Sequence, residues 1–114
     1  MYASGRFELL DYRNDIFKVN ISTGAIVPII SSRWDDRRPS LSPDNSRIAF
    51  ISDRTGDDEV WLFDQGSAKL RQVTTASSYH FDSRYSNIQW LNNNELLITV
   101  YQETKSVAMK ITLN

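Results

Sequence analysis

Hydrophobic and polar positions fall into short blocks along this chain. Brief apolar runs rich in β-branched and aromatic residues are each bounded by Gly, Pro, Asn, Asp or Ser. That is the pattern of strands joined by tight turns, and no segment carries the 3.6-residue periodicity of a helix. The most regular stretch runs from Ser42 to Asp64. Pro43 presets φ for a turn, Asp44 can hydrogen-bond the backbone beyond it, and Asn45 tolerates a left-handed conformation. A strand should therefore start near Arg47. Ile48-Ala49-Phe50-Ile51 follows without a polar break, which predicts a strand covered on both faces. Asp53-Arg54-Thr55-Gly56 is the next turn, with Gly56 free to take positive φ. Val60-Trp61-Leu62-Phe63 is a second apolar strand. Gln65 to Ala68 turns the chain again, and Lys69 to Thr74 reads as a third, more polar strand.

Ser42-Pro43-Asp44, Ile48-Ala49-Phe50, Ser52-x-Arg54-x-Gly56 and Val60-Trp61-x-x-Asp64 together resemble the repeat of TolB-like β-propellers. The same repeat occurs in the propeller domains of prolyl oligopeptidase-type enzymes. The family usually has Gly after Ser-Pro-Asp, and here it is Asn45. The match covers one whole repeat closely and its neighbours loosely. In the family these residues are scaffold, so the resemblance implies a fold and no catalytic residue.

The rest of the chain reads as weaker copies of this unit. Residues 1–5 look like a flexible lead. Strands are expected over Arg6–Tyr12 and Asp15–Asn20, then at Ile26–Ile30, where Pro28 cannot donate to a ladder and predicts a sheet edge. Val60 follows Ile16 by 44 positions, and both strands lead into a Gly-containing turn and a further strand. A period near forty residues with several strands per unit is the signature of a propeller. Pro39-Ser40-Leu41 would be the innermost strand of the central unit, and Ile88-Gln89-Trp90-Leu91 repeats it. Asn92-Asn93-Asn94 replaces the Ser-Pro-Asp turn. Glu95–Gln102 and Ser106–Leu113 complete the series. The expected fold is all-β: a partial β-propeller with one complete four-stranded blade at about 39–74, flanked by incomplete blades at about 6–30 and 88–114. An open set of blades exposes sheet faces that soluble monomers rarely leave bare. Either the chain is part of a longer propeller, or several copies assemble as a homo-oligomer that completes one.

Composition narrows the function. The chain has 114 residues, 40% hydrophobic and 24% charged, with a net charge of −1. A nucleic-acid binder needs uncompensated cations to displace counterions, so no nucleic-acid partner is expected. There are no cysteines, which removes disulfides, thiolate metal sites and a cysteine nucleophile. No apolar run has the length of a bilayer span, so no direct membrane insertion is expected. The first five residues lack the regions of a signal peptide. Periplasmic localisation follows only if the chain belongs to a longer exported or membrane-anchored protein.

Candidate chemistry is sparse. His80 is the single histidine, and no Gly-x-Ser-x-Gly elbow accompanies it, so no catalytic site is expected. Asp53, Asp57, Asp58 and Glu59 surround one turn. Calcium takes six to eight oxygens, but the EF-hand spacing is missing, and a solvated turn is the expected reading. No cofactor or metal is expected. Two loops carry the functional signal: Arg33, Trp34, Asp36, Arg37 and Arg38 in the first, Tyr79, His80, Phe81, Asp82 and Arg84 in the second. Asp82 and Arg84 each stand 46 positions after Asp36 and Arg38. In a propeller such loops lead into inner strands at the mouth of the channel. Aromatics with arginines and aspartates are the composition of interface hot spots. Equally, Asp36–Arg38-type pairs could staple neighbouring blades, with Trp34 and Phe81 wedged between them. The expected function is a non-catalytic module binding a protein or peptide. It would be the sensory or periplasmic part of a larger bacterial protein, such as a membrane-anchored transcription regulator. The rival is a propeller that gates access to a separate hydrolase domain.

Overall fold

The computed structural model describes residues 7–13, 15–56, 58–74, 87–102 and 105–113. Over these the chain forms ten strands and no helix: β1 (Phe7–Tyr12), β2 (Asp15–Asn20), β3 (Ile26–Ile30), β4 (Asp36–Leu41), β5 (Arg47–Ser52), β6 (Glu59–Asp64), β7 (Lys69–Gln72), β8 (Asn87–Asn92), β9 (Glu95–Gln102) and β10 (Lys105–Thr112). They make three antiparallel sheets in the orders β1-β2-β3, β4-β5-β6-β7 and β8-β9-β10. The central sheet is thus a complete four-stranded blade, and its neighbours hold three strands each. Strand β3 is a sheet edge, as Pro28 predicts. Strand β4 begins at Asp36 rather than at Pro39, so part of the expected loop is strand.

Strand β5 explains the stacking. From Ile48 to Ser52 every residue is buried, because the sheet is covered on both faces. Ile48 and Phe50 face the first sheet, in a core with Ile16 and Ile30. Ala49 and Ile51 face the third, in a core with Val60, Leu62, Ile88, Leu96, Ile98 and Leu113. One strand therefore supplies both inter-sheet cores, its alternate side chains going opposite ways. Innermost β4 lies against β1 and β2 on one side and β8 on the other. Trp90 Nε1 donates to the carbonyl of Ser40 at 2.9 Å across that second junction.

The turns behave as their residues dictate. Asn45 sits at φ 65° and Gly56 at φ 104°. Asp44 organises its turn: one carboxylate oxygen accepts from the hydroxyls of Ser42 and Ser46, each at 2.7 Å, and from the Ser46 amide at 3.0 Å. The Ser46 hydroxyl, then the Ser42 hydroxyl, lower its pKa from 3.8 to about 2. The bonded form is the carboxylate, so its contribution to stability is complete above 3.8 and is lost as pH falls through about 2. Titrating the Asp44 carboxyl carbon by NMR should give a midpoint near 2; a midpoint at the ordinary value would mean that the serines do not hold it.

Glu59 departs from the expected solvated turn. It is 3% exposed, and its carboxylate accepts from Thr74 Oγ1 at 2.6 Å. The same Thr74 oxygen accepts from the Val60 amide at 2.9 Å, so a buried polar pair closes the start of β6.

Candidate functional site

Residues Ser31–Asp35 carry the chain from the edge strand β3 to the inner strand β4, and residues 53–58 join β5 to β6. Both connections lie at the same end of the sheets, and polar contacts lock them together. Asp36, fully buried, is the anchor. Its carboxylate accepts from Ser32 Oγ at 2.6 Å and from Arg54 Nη2 at 2.9 Å. Arg54 also donates through Nε to Ser52 Oγ at 3.0 Å. Its guanidinium lies 5.1 Å from the Trp61 ring centre, 5.3 Å from Trp34 and 5.6 Å from Phe50. A cation enclosed by three rings and a carboxylate is held in one pose, since each ring face is electronegative.

Arg37 is committed in a similar way. It pairs with Asp35 and, at 2.9 Å, with Asp58. The Asp35 amide donates to Asp53 at 3.0 Å. Asp53, Asp58 and Glu59 thus have separate partners rather than a shared centre, and Asp57 lies outside the described residues. Among the described residues no three of His, Cys, Asp and Glu converge as metal ligands.

Two further arginines are exposed. Arg33 is exposed and stacks on half-buried Trp34, its guanidinium 5.0 Å from the ring centre. Arg38 is exposed and sits at φ 55°, where the register of β4 against β5 shifts. Such a bulge re-aims the strand, and a left-handed non-glycine residue within it is strained. The Arg38 amide donates to Asp11 of β1 at 3.1 Å, so the first sheet helps to hold the bulge.

The structure therefore brings Arg33, Trp34, Asp36, Arg37 and Arg38 to one end of the central blade. It replaces the expected Asp36–Arg38 staple with Asp36–Arg54, because the β5–β6 turn delivers Arg54 to the buried carboxylate. Trp34 stacks within this assembly between Arg33 and Arg54. Tyr79, His80, Phe81, Asp82 and Arg84 lie outside the described residues. Arg54 is a site residue beyond those the sequence pattern singles out. Its signal was the Ser52-x-Arg54-x-Gly56 motif, a charged residue set between a buried strand and a glycine turn.

No protein-family model matches the chain. A protein TolB homolog of Chlorobium luteolum is 37% identical over 57 residues, or 50% of this chain and 13% of that protein. TolB from Acinetobacter baumannii superposes with a TM-score of 0.67 at 15% identity, over 95% of this chain and 28% of that one. The fold is TolB-like and propeller-type. A protein described as a TolB from Agrobacterium tumefaciens gives a TM-score of 0.68 at 18% identity, over 86% of this chain and 37% of that one. An acylaminoacyl peptidase gives 0.57 at 18% identity, over 90% and 19% of the two chains. The chain thus spans well under half of each of these four proteins. In this TolB-like frame β4 and β8 are inner strands.

Proposed function

We propose that this chain is the protein- or peptide-binding part of a TolB-like propeller, acting without catalysis through the loop from Arg33 to Arg38. The supporting observation is the strained bulge at Arg38. A left-handed arginine on an inner strand is costly, and such strain concentrates at ligand clamps. Beside it, exposed Arg33 lies over the Trp34 ring, and the pair rests on the buried Asp36–Arg54 support. A planar cation on an indole, held rigid from below, loses little freedom when a partner binds. Tyr79 to Arg84 are proposed to extend this surface from the second loop.

A screen of random peptides displayed against the chain tests this reading. Arg33→Ala with Arg38→Gly removes both exposed cations, and glycine accepts the left-handed backbone at no steric cost. Selected peptides should bind the variant at least roughly tenfold more weakly, at a melting temperature that does not fall. Equal binding by the variant would remove the loop from the function.

The wider context is proposed on the same footing. A periplasmic sensory role would be supported by a longer reading frame with a winged helix and a membrane span. The likeness to the acylaminoacyl peptidase favours the gating alternative, for which the frame would carry a hydrolase domain. Light scattering after size exclusion addresses assembly: a discrete oligomer supports propellers completed by other copies, and a monomer removes that idea.

A further inference from the structure

The junction between the first and second sheets holds a small cleft that is apolar along its walls and polar at one end. Ile29 and Ile30 of β3 face Phe63 of β6 and Leu70 of β7 across it. The two connections at the loop end of the sheets add Ser31, Ser32 and Arg54. Both walls are strands in place, β3 on one side and β6 with β7 on the other. The cleft measures about 130 Å³, room for one branched aliphatic group with a polar group beside it.

The polar end offers donors. Ser32 Oγ donates to Asp36 at 2.6 Å and accepts from the Trp34 amide at 3.2 Å. Ser31 Oγ donates to Asp15 at 3.3 Å. Both hydroxyls are thus committed. Arg54 is not used up. A guanidinium has five N–H donors, and among the described residues its hydrogen bonds run from Nε to Ser52 and from Nη2 to Asp36. Trp61, on the same face of β6 as Phe63, has its ring 5.1 Å from that guanidinium. Its Nε1 is buried without a hydrogen-bond partner, which is costly unless an acceptor arrives. Acceptor oxygens satisfy such an end, and an ammonium, which only donates, does not.

We propose that this cleft binds a short branched aliphatic carboxylate, its oxygens on Arg54 and its hydrocarbon among Ile29, Ile30, Phe63 and Leu70. Size selects the occupant. The guanidinium and four apolar side chains line one small space, so the acid and the aliphatic group must belong to one residue-sized unit. A free branched-chain acid has both, and so does a chain end in Val, Ile or Leu. An acid within a strand does not, because adjacent side chains point to opposite faces. Glu8 and Asp11 of β1 are in that setting, and Asp11 already accepts from the Arg38 amide at 3.1 Å. Because three rings and Asp36 already fix Arg54, little freedom is lost when the acid binds.

The test uses the 114-residue chain, with Ile and Leu methyl signals followed by NMR. The probes are isovalerate, its neutral isostere isovaleramide, and acetyl-Gly-Gly-Leu with a free carboxyl. Isovalerate should shift Ile29, Ile30 and Leu70 saturably, and isovaleramide should bind at least roughly tenfold more weakly. Leu70→Glu, on the exposed strand β7, puts a like charge in the cleft. It should weaken binding at least roughly tenfold while the melting temperature holds. Arg33→Ala with Arg38→Gly should leave binding unchanged, which separates the cleft from the proposed loop surface. Binding of isovalerate supports a free acid as ligand, and binding of the tripeptide alone supports a partner's chain end. Equal binding of isovalerate and isovaleramide, binding of neither acid, or full binding by Leu70→Glu would overturn the proposal. So would loss of binding in the Arg33 and Arg38 variant, which would put the ligand on the loop.

Discussion

Asp36→Ala should destabilise the chain by about 3–5 kcal/mol, the cost of leaving a buried charge without its partner. Asp36 is fully buried, and the Arg54 side chain is 11% exposed. Without the carboxylate, the guanidinium keeps its three rings and Ser52 but has no anion, while Ser32 loses its acceptor. The loop and the β5–β6 turn should come apart together. Urea unfolding of Asp36→Ala, Arg54→Ala and the double variant measures this. The double variant should cost less than the sum of the singles, by about 1–3 kcal/mol of coupling. Arg54→Lys should recover only part of the loss, because a compact ammonium cannot lie flat against Trp34, Phe50 and Trp61 while donating sideways to Asp36. A cost under about 1 kcal/mol for Asp36→Ala, as for an exposed pair, would mean that the staple is not what holds the loop.

Phe50→Ala should cost about 3–5 kcal/mol, and the damage should be local to one junction. Phe50 is fully buried and faces the first sheet with Ile48, Ile16 and Ile30. The stacked sheets meet mainly their neighbours, so their stability approximates a sum of units and junctions. Loss of the Phe50 ring opens a cavity between the first and second sheets and leaves the core of Ala49, Ile51, Leu96 and Ile98 intact. Native-state hydrogen exchange should therefore show β1 to β3 exchanging much faster, with β8 and β9 little changed. Ile98→Ala should do the reverse. Uniform loss of protection in both variants would show that the three sheets unfold as one cooperative unit.

The proposed loop surface and the proposed cleft are separable although Arg54 serves both. The loop presents Arg33 and Arg38 and has the Arg54 staple beneath it. The cleft depends on Ile29, Ile30, Phe63 and Leu70 as well as on Arg54. Arg33 and Arg38 line no part of it, so substitutions there should leave the cleft intact.

The strand series, the turn chemistry and the propeller-type stacking were legible in the sequence because each rests on neighbours along the chain. Ile48 to Ile51 announced a strand covered on both faces, Pro28 an edge, and Asn45 and Gly56 left-handed turns, all of which the structure bears out. Arg33, Trp34, Asp36, Arg37 and Arg38 lie together at one end of a blade, but the structure puts Asp36, Arg37 and Arg38 in β4 rather than in the expected loop. Partner choice was not legible. Asp36 and Arg38 are near in sequence and looked like a pair. Folding the β5–β6 turn over the loop brings Arg54 to the buried carboxylate, and at the bulge it is the Arg38 backbone amide that donates to Asp11 of another sheet. Glu59 read as a solvated acid until Thr74, two residues beyond β7, closed over it. These outcomes depend on which side chains meet across sheets and on how much water is excluded there. Spacing along a chain encodes neither, so the tertiary structure alone decided which charges became struts and which stayed exposed.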